Sequence, residues 1–215
     1  MSDVECRTRT YRSELRQRQA AETRRRIVGA AVEVFGENGY QAATFAEIAK
    51  RAGVSIETVR KNGPKAALMW AAVEVASFGV EGEIDISNTE PGAALLEARD
   101  PDGFAEIVGK TMVTINEPAA GVWTALTGAA HGDSELQTNL IERLAGIRAQ
   151  VENILRMVAE RGWLRADVPF DDLVETCCVI TSVESYVRIV HFDGKSHEQY
   201  KSIVARTVRD TILLR

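Results

Sequence analysis

Apolar residues recur at intervals of three and four along most of the chain, which is the spacing of one face of an α-helix. Residues 24–37 show this pattern clearly, because Ile27, Val34 and Phe35 fall on one face together with several alanines. Gly39 then predicts the end of this helix. No stretch alternates apolar and polar residues between hairpin turns, so the pattern predicts an all-α fold.

The same periodicity predicts further helices. The longest spans residues 134–161, where leucine, isoleucine and valine repeat between a predicted N-cap at Ser134 and a stop at Gly162. The remaining predicted helices span residues 44–51, 56–62, 64–79, 102–116, 118–130, 170–190 and 196–214. Glycine and proline cluster over residues 79–103, which predicts a loop containing one short helix at 93–98.

The net charge of −5 conceals an unequal distribution along the chain. Residues 1–65 contain 13 Lys and Arg against 8 Asp and Glu, a net charge of +5. The remaining residues contain 13 basic against 23 acidic side chains, a net charge of −10. A small basic module joined to a larger acidic one indicates that only the first binds a polyanion.

Composition also bears on the compartment. No run of about 18 apolar residues is present, so we expect no membrane span. The first residues are basic and polar without an apolar stretch behind them, which argues against a secretory signal. We interpret Cys6, Cys177 and Cys178 as free thiols of a reducing compartment, and therefore expect a cytoplasmic protein.

The most informative segment is TFAEIAKRAGVSIETVRK, which begins at Thr44. Thr44 and Glu47 form a capping-box pattern that starts a helix. Ala49, Gly53 and Val59 then supply a small residue at a helix crossing, a turn glycine and an apolar anchor, at the spacing of a DNA-binding helix-turn-helix. A plain helical hairpin with a glycine turn is the alternative interpretation of this segment taken alone.

With its surroundings, the segment resembles a known family. AAVEVFGENGYQAATFAEIAKRAGVSIETVRKNGPKAAL is similar to the DNA-binding domain of the tetracycline-repressor (TetR) family. Family members usually carry an aromatic pair and a Pro-Ser-Lys step after the second helix of the motif, whereas this chain has Asn62-Gly63-Pro64-Lys65. A weaker resemblance covers the C-terminal segment that starts at Val174, which is similar to the last two helices of many members.

The resemblance implies an organisation and a function. It implies a basic flexible arm over residues 1–20, a helix-turn-helix domain over residues 21–65 and an effector-binding and dimerisation domain over residues 66–215. It further implies a homodimer formed through the helices predicted at 170–190 and 196–214. Such a dimer would bind a palindromic operator in double-stranded DNA, and the expected activity is that of a repressor released by a small molecule of unknown identity.

In a helix-turn-helix, the second helix lies in the major groove and helix starts bind phosphate. The side chains expected to contact DNA are Thr44, Ser55, Ile56, Glu57, Thr58, Arg60, Lys61 and Lys65. The N-terminal segment adds Arg7, Arg9, Arg12, Arg16, Arg18, Arg24, Arg25 and Arg26. These arginines form either a solvated tail or an arm that binds phosphates and the minor groove.

Large apolar side chains on the middle helices are candidates for the wall of an effector pocket. They are Phe104, Met112, Trp123, Leu126, Met157 and Trp163, joined by the hydroxyl of Thr127. His131 and Glu184 are further polar groups that could orient a ligand. Ordinary core packing is the alternative interpretation for each of them.

Two other classes of protein compete with a DNA-binding regulator. An enzyme is disfavoured, because His131, His191 and His197 lack metal-ligand spacing and no nucleophile or phosphate-loop motif occurs. We therefore expect no catalytic residues, no cofactor and no metal. The second class is a helical ligand-binding or protein-interaction protein whose DNA binding has lapsed, and the altered Asn62-Gly63 step is its main support.

Overall fold

The computed structural model describes residues 2–82, 86 and 89–214, and for residues 2–14, 90 and 91 it describes the backbone alone. The predicted all-α fold is confirmed over this part of the chain, where the extended pairing is a single antiparallel bridge between Leu164 and Leu213. The helices are α1 (Ser2–Ala42), α2 (Phe45–Ala52), α3 (Ile56–Lys61), α4 (Lys65–Phe78), α5 (Glu90–Leu96), α6 (Pro101–Ala130), α7 (Ser134–Glu160), α8 (Phe170–Thr181), α9 (Val183–Tyr186), a π-helical segment (Val187–Phe192) and α10 (His197–Thr211). We call α1–α3 the head and α5–α10 the body, with α4 between them.

Helix α1 extends well beyond residues 24–37, where the apolar residues recur at helical spacing. The segment predicted as a flexible arm over residues 1–20 belongs, from Ser2 onwards, to the helical backbone of α1. The side chains of Arg7, Arg9 and Arg12 lie outside the described residues. Near its other end the helix is interrupted at the predicted glycine, since Gly39 has a φ of 72°. The division of the chain at residues 20 and 65 stays a prediction.

Three predictions for the body were wrong in detail. Asp133 rather than Ser134 caps α7, because its carboxylate accepts the backbone N–H groups of Glu135 and Leu136 at 3.0 and 3.1 Å. The helices predicted at 102–116 and 118–130 form one helix. Pro118 is exposed, so the backbone hydrogen bond that it removes lies on the solvent side while the buried face of α6 continues past it.

The helix predicted over residues 170–190 is divided into α8, α9 and the π-helical segment. The interruption is at Ser182, which has an extended backbone (φ −64°, ψ 155°) and caps α9 by accepting the N–H of Ser185 at 3.1 Å. The buried amide of Asn116 donates to the carbonyls of Thr181 and Ser182 at 3.1 and 3.3 Å. A side chain of α6 therefore stabilises the break in place of helical bonds.

Buried apolar residues form two clusters. The first cluster joins the head to α4 and to the second half of α6 and includes Ile27, Phe35, Ile48, Val59, Leu68, Met69, Val122, Trp123 and Leu126. The second cluster lies wholly in the body and includes Leu95, Phe104, Met112, Leu155, Leu173, Tyr186, Tyr200 and Val204. Helix α6 contributes to both clusters, so the head does not have an apolar core of its own.

Close approaches of glycines fix α6 against its neighbours. A Cβ added at Gly121 would lie 3.3 Å from the Cα of Gly36, which is where α6 crosses α1. A Cβ at Gly109 would lie 2.6 Å from the backbone oxygen of Lys201, which is where α6 crosses α10. Helix α6 is thus the axis that positions the head relative to the C-terminal helices. Within the described part of the chain, no helix is long and apolar enough to cross a membrane.

Candidate nucleic-acid interface

Helix α2 begins with the predicted capping box. The backbone N–H of Thr44 donates to the Glu47 carboxylate at 2.9 Å, and the backbone N–H of Glu47 donates to the Thr44 hydroxyl at 3.2 Å. The hydroxyl of Thr44 also donates to Glu47 Oε2 at 2.8 Å. Ile48 and Ala49 are buried under the helix, so the box fixes an exposed helix start on an apolar base.

The turn between α2 and α3 has the geometry of a helix-turn-helix. Gly53 ends α2 in the left-handed region with a φ of 65°, a conformation that favours glycine. The N–H of Val54 donates to the carbonyl of Ala49 at 3.0 Å. Ser55 then caps α3 by accepting the N–H of Thr58 at 3.1 Å. Each predicted turn residue therefore has the local role that the sequence pattern indicated.

Helix α3 presents one apolar residue to the core and most of its other side chains to solvent. Val59 is fully buried in the first cluster. Ile56, Glu57, Arg60 and Lys61 are exposed, and the Ile56 side chain is 42% exposed although it is apolar. An exposed branched side chain beside charged ones is typical of a surface that contacts DNA bases.

The residues of α3 that are predicted to contact DNA differ in the contacts that they already make within the protein. Thr58 is half-buried, and its hydroxyl lies 2.8 Å from that of Ser55. Lys61 lies 3.8 Å from Glu57 in an exposed pair one turn apart. Arg60 makes no ion pair with any described residue. Arg60 can therefore bind an external group without breaking a contact within the protein.

The Asn62-Gly63 step that departs from the family pattern forms a defined helix end. The side-chain amide of Asn62 donates to the carbonyl of Thr58 at 2.7 Å, which satisfies one of the last carbonyls of α3. Gly63 has a φ of 125° and turns the chain towards Pro64 and α4. The carbonyl of Asn62 accepts the guanidinium of Arg24 on α1 at 2.5 Å. The end of α3 is thus bound to α1 by polar contacts.

Lys65, which the sequence predicted to contact DNA, already makes contacts within the protein. Its ammonium donates to the carbonyl of Gln41 at 3.3 Å and lies 4.7 Å from the centroid of the Tyr40 ring. Burial lowers the pKa of Lys65, against the smaller opposing effect of the Glu47 carboxylate. The bond to Gln41 places Lys65 beside the segment that leads into α2, three residues before Thr44.

The three consecutive arginines at the predicted start of the periodic helix face in different directions. Arg25 is exposed and pairs with Glu22 at 2.8 Å. Arg26 is also exposed. Arg24 instead points inward, where it binds Asn62 and the carboxylate of Glu81. Sequence interpretation missed this role, although Arg24 precedes the buried Ile27 by three positions and thus lies on the inward face.

The residues predicted for an effector pocket are not brought together. Trp123 and Leu126 are buried in the first cluster, whereas Phe104 and Met112 are buried in the second. The remaining ones are partly buried, with Met157 and Trp163 against the second cluster and Thr127 donating to its own helix. Of the two additional polar candidates, Glu184 accepts the indole N–H of Trp123 at 2.7 Å and His131 bonds the Thr127 carbonyl.

A cleft of about 560 Å³ lies elsewhere, between head and body. Its walls come from α1, α4, the segment after α4 and the start of α7, and include Arg24, Trp70, Glu74, Glu81 and Glu135. None of the seven residues predicted for the pocket lines this cleft. The part of the chain that the structure describes contains no cluster of three His, Cys, Asp or Glu arranged for a metal ion.

The helices predicted to form a dimer interface carry exposed apolar residues at one end. The Val179 side chain on α8 is 60% exposed, and Phe192 at the end of the π-helical segment is 76% exposed. Ile189 and Val190 are half-buried between them in the chain. The outward positions of α10 are polar, among them Ser202 and Arg206. Of the helices predicted for this interface, α8 and the π-helical segment therefore carry the exposed apolar residues and α10 does not.

This geometry defines a helix-turn-helix head joined to a larger helical body. Residues 27–59 match the model of the tetR family of bacterial regulatory proteins. No curated protein matches the chain.

Solved structures with the same fold cover almost the whole chain. A TetR transcriptional regulator from Chloroflexus aurantiacus has 16% sequence identity, and the match covers 92% of this chain and 100% of that one with a TM-score of 0.67. The fatty acid degradation regulator FadR from Bacillus halodurans has 19% identity, with coverages of 88% and 95% and a TM-score of 0.68. FadR from Bacillus subtilis, solved in complex with stearoyl-CoA, has 17% identity, coverages of 86% and 97% and a TM-score of 0.68.

The match of the DNA-binding segment and the shared fold agree with the resemblance seen in the sequence. Residues 27–59 thus match the tetR family, and the chain as a whole shares the fold of solved TetR regulators.

Proposed function

We propose that this protein is a homodimeric repressor that binds a palindromic operator through α3 and leaves it when a small molecule binds the body. The observation that carries this proposal is the exposed face of α3, anchored on the buried Val59 and capped by Ser55. The proposal assigns no catalytic step and no cofactor to the chain.

In the proposed complex, the outward side chains of α3 lie in the major groove. Arg60 donates to a guanine, Glu57 accepts from a cytosine amine, and Ile56 contacts a thymine methyl. Lys61 must separate from Glu57 to reach DNA, which costs little because the pair is exposed and 3.8 Å apart. These four side chains are the proposed base-reading set.

Phosphate contacts are proposed at the starts of α2, α3 and α4. The N-terminus of α2, with Thr44, and that of α3, with Ser55, present backbone N–H groups and a positive helix end. Thr58, the hydroxyl partner of Ser55, supports this second helix start. Lys65 adds a positive charge at the edge of the head next to Tyr40.

Two heads are needed to read an inverted repeat. The exposed Val179 and Phe192, together with the half-buried Ile189, are proposed to pack against the same surface of a second copy. Helix α10, the other predicted element of this interface, would supply the polar rim. A two-fold interface would place two copies of α3 about one helical turn of DNA apart.

The effector site is proposed in the body. Phe104, Met112, Met157 and Trp163 all border the second cluster, and flexible methionines can repack around a ligand. Trp123, Leu126 and Thr127 lie further along α6 on the side of the head. A ligand that displaced α6 would therefore move both clusters, which is how we propose that binding reaches the head.

Selection of bound duplexes from a random DNA pool tests the proposal. We expect an inverted repeat with half-sites about 10 base pairs apart from centre to centre. Binding of the selected duplex should weaken with salt, by roughly 0.9 log units per log unit of salt for each phosphate contacted. A selected site without inverted half-sites would contradict the dimer, and recovery of no duplex would favour the alternative in which DNA binding has lapsed.

A further inference from the structure

The guanidinium of Arg24 joins three separate elements of the chain. From α1, its Nη1 donates to the carbonyl of Asn62 at the end of α3 at 2.5 Å. Its Nε and Nη2 donate to Oε2 of Glu81 at 3.0 and 2.8 Å, and Nε also lies 3.1 Å from Oε1. Glu81 follows the end of α4, so one side chain binds α1, α3 and the exit of α4 together.

The contact with Asn62 fixes the end of a very short helix. Helix α3 spans only Ile56–Lys61, so its direction depends on how both ends are held. Ser55 holds the first end, and Asn62 caps the second by donating to Thr58. The bond from Arg24 to the Asn62 carbonyl is therefore a direct constraint on the orientation of the DNA-reading helix.

The contact with Glu81 continues into the body. The next residue, Gly82, donates its backbone N–H to Glu74 on α4 at 2.8 Å. Glu74 also lies 3.4 Å from the guanidinium of Arg143 on α7. The side chains of both ion pairs are only 17–33% exposed, so solvent screens them less than surface pairs. A continuous polar network thus leads from α7 to the end of α3.

We propose that Arg24 is a positioning residue for DNA recognition, which holds the end of α3 through the Asn62 carbonyl while Glu81 orients its guanidinium. The proposal rests on the proposed DNA-reading function of α3. It also changes the role of Arg24, because a guanidinium that binds Asn62 and Glu81 is not part of an arm that binds phosphate. The cleft between head and body is lined by Arg24, Glu74 and Glu81, so a molecule entering it would contact the network directly.

Hydrogen exchange without DNA tests the positioning role. Arg24→Met keeps the apolar stem and removes the donors, whereas Arg25→Met makes the same change on the exposed neighbour. We expect faster amide exchange over residues 56–62 in Arg24→Met and unchanged exchange in Arg25→Met. Glu81→Gln should give a smaller increase, because it leaves the bond to Asn62 in place. Unchanged exchange over residues 56–62 in Arg24→Met would overturn the proposal.

Binding of the selected duplex separates positioning from phosphate contact. We expect Arg24→Met to lower the affinity at least about fivefold, as in typical coupling between sites, without changing the salt dependence. A loss of about 0.9 from the salt slope, with normal exchange in α3, would show that Arg24 binds phosphate and would contradict our assignment. If the unaltered protein selects no duplex, the proposed function fails, while the exchange experiment still decides whether Arg24 positions α3.

Discussion

The head and the body are stabilised in different ways. In the head, α2 and α3 are short, and their ends are held by the side chains of Thr44, Ser55 and Asn62. In the body, α6 is 30 residues long and buries side chains of both apolar clusters along its length. Local hydrogen bonds therefore determine the shape of the proposed DNA-reading surface, whereas tertiary burial determines the shape of the body, where the effector site is proposed.

The head and the body nevertheless share one apolar cluster. The first cluster includes Val122, Trp123 and Leu126, which belong to the body helix α6, together with Phe35 and Ile48 of the head. The head thus has its own capped helices but shares its apolar core. A change within α6 can therefore alter the packing of the head directly, through this shared cluster.

The substitution expected to lower stability most lies in this shared cluster. Leu126→Ala should lower the free energy of unfolding by about 2–5 kcal/mol, because it leaves a cavity at a fully buried site. Amide exchange in α2 and α3 should accelerate along with exchange in α6. Leu144→Ala, at a leucine that is 45% exposed, is the control and should change stability little. An undisturbed head in Leu126→Ala would show that the head is stable independently of α6.

The second prediction concerns the crossing of α6 and α10. Gly109→Ala should destabilise the protein by about 1–3 kcal/mol, because its Cβ would lie 2.6 Å from the backbone oxygen of Lys201. Gly128→Ala on the same helix is the matched control. No atom lies within 4 Å of a Cβ there, so alanine should stabilise by about 0.4–1 kcal/mol. Chemical denaturation of both variants measures the difference, and equal effects would contradict the close crossing.

The third prediction concerns the caps of the head. Thr44→Val should lower stability by about 1 kcal/mol, since it removes the hydroxyl that accepts the Glu47 N–H. Thr44→Ser retains the hydroxyl and should remain close to the unaltered protein. Exchange of the first amides of α2 should rise in the valine variant alone. A valine variant as stable as the unaltered protein would show that the Thr44 hydroxyl does not stabilise the head.

The smallest expected effect on stability near neutral pH comes from two buried side chains of the body that ionise at alkaline pH. Burial raises the pKa of Tyr200 to about 12, opposed by the donated hydrogen bond of Asn116, and burial raises the pKa of Cys177 to about 12. Between its pKa in the unfolded chain and its pKa of about 12 in the folded protein, each group is ionised when unfolded and neutral when folded. Their contribution is complete below about pH 9–10 and is lost as the pH rises towards 12.

Denaturation of Tyr200→Phe at several alkaline pH values measures this contribution. The variant should be about 1 kcal/mol less stable at pH 8, because the Asn116 amide loses one acceptor. Its stability should then fall less steeply with rising pH than that of the unaltered protein. Parallel pH profiles would show that Tyr200 does not ionise on unfolding in this range.

The sequence predicts the head more closely than the body, for a physical reason. Thr44, Gly53 and Ser55 are local signals of helix ends, and they placed α2 and α3 to within about a residue. Pro118 is also a local signal, yet α6 continues through it, because the apolar face on both sides is buried in register. Ser182 is also an N-cap residue type, but the apolar periodicity on both sides of it predicts one uninterrupted helix.

The candidate site was predictable only in part. The exposed positions of α3 follow from the helical spacing around Val59. The inward role of Arg24 was hidden by its position in a run of three arginines, although its spacing to Ile27 and Val28 contains the signal. A pocket cannot be predicted in the same way, because a cavity depends on how helices distant in sequence pack. The six apolar candidates were divided between two clusters.

The most direct test of α3 as the DNA-reading helix is selection of duplexes by Arg60→Ala alongside the unaltered protein. Our account predicts that the same half-sites are recovered with relaxed preference at one base pair, since a bidentate base contact contributes about 1–3 kcal/mol of discrimination. Recovery of the identical motif with undiminished preference at every position, by Arg60→Ala and by Glu57→Ala, would contradict it.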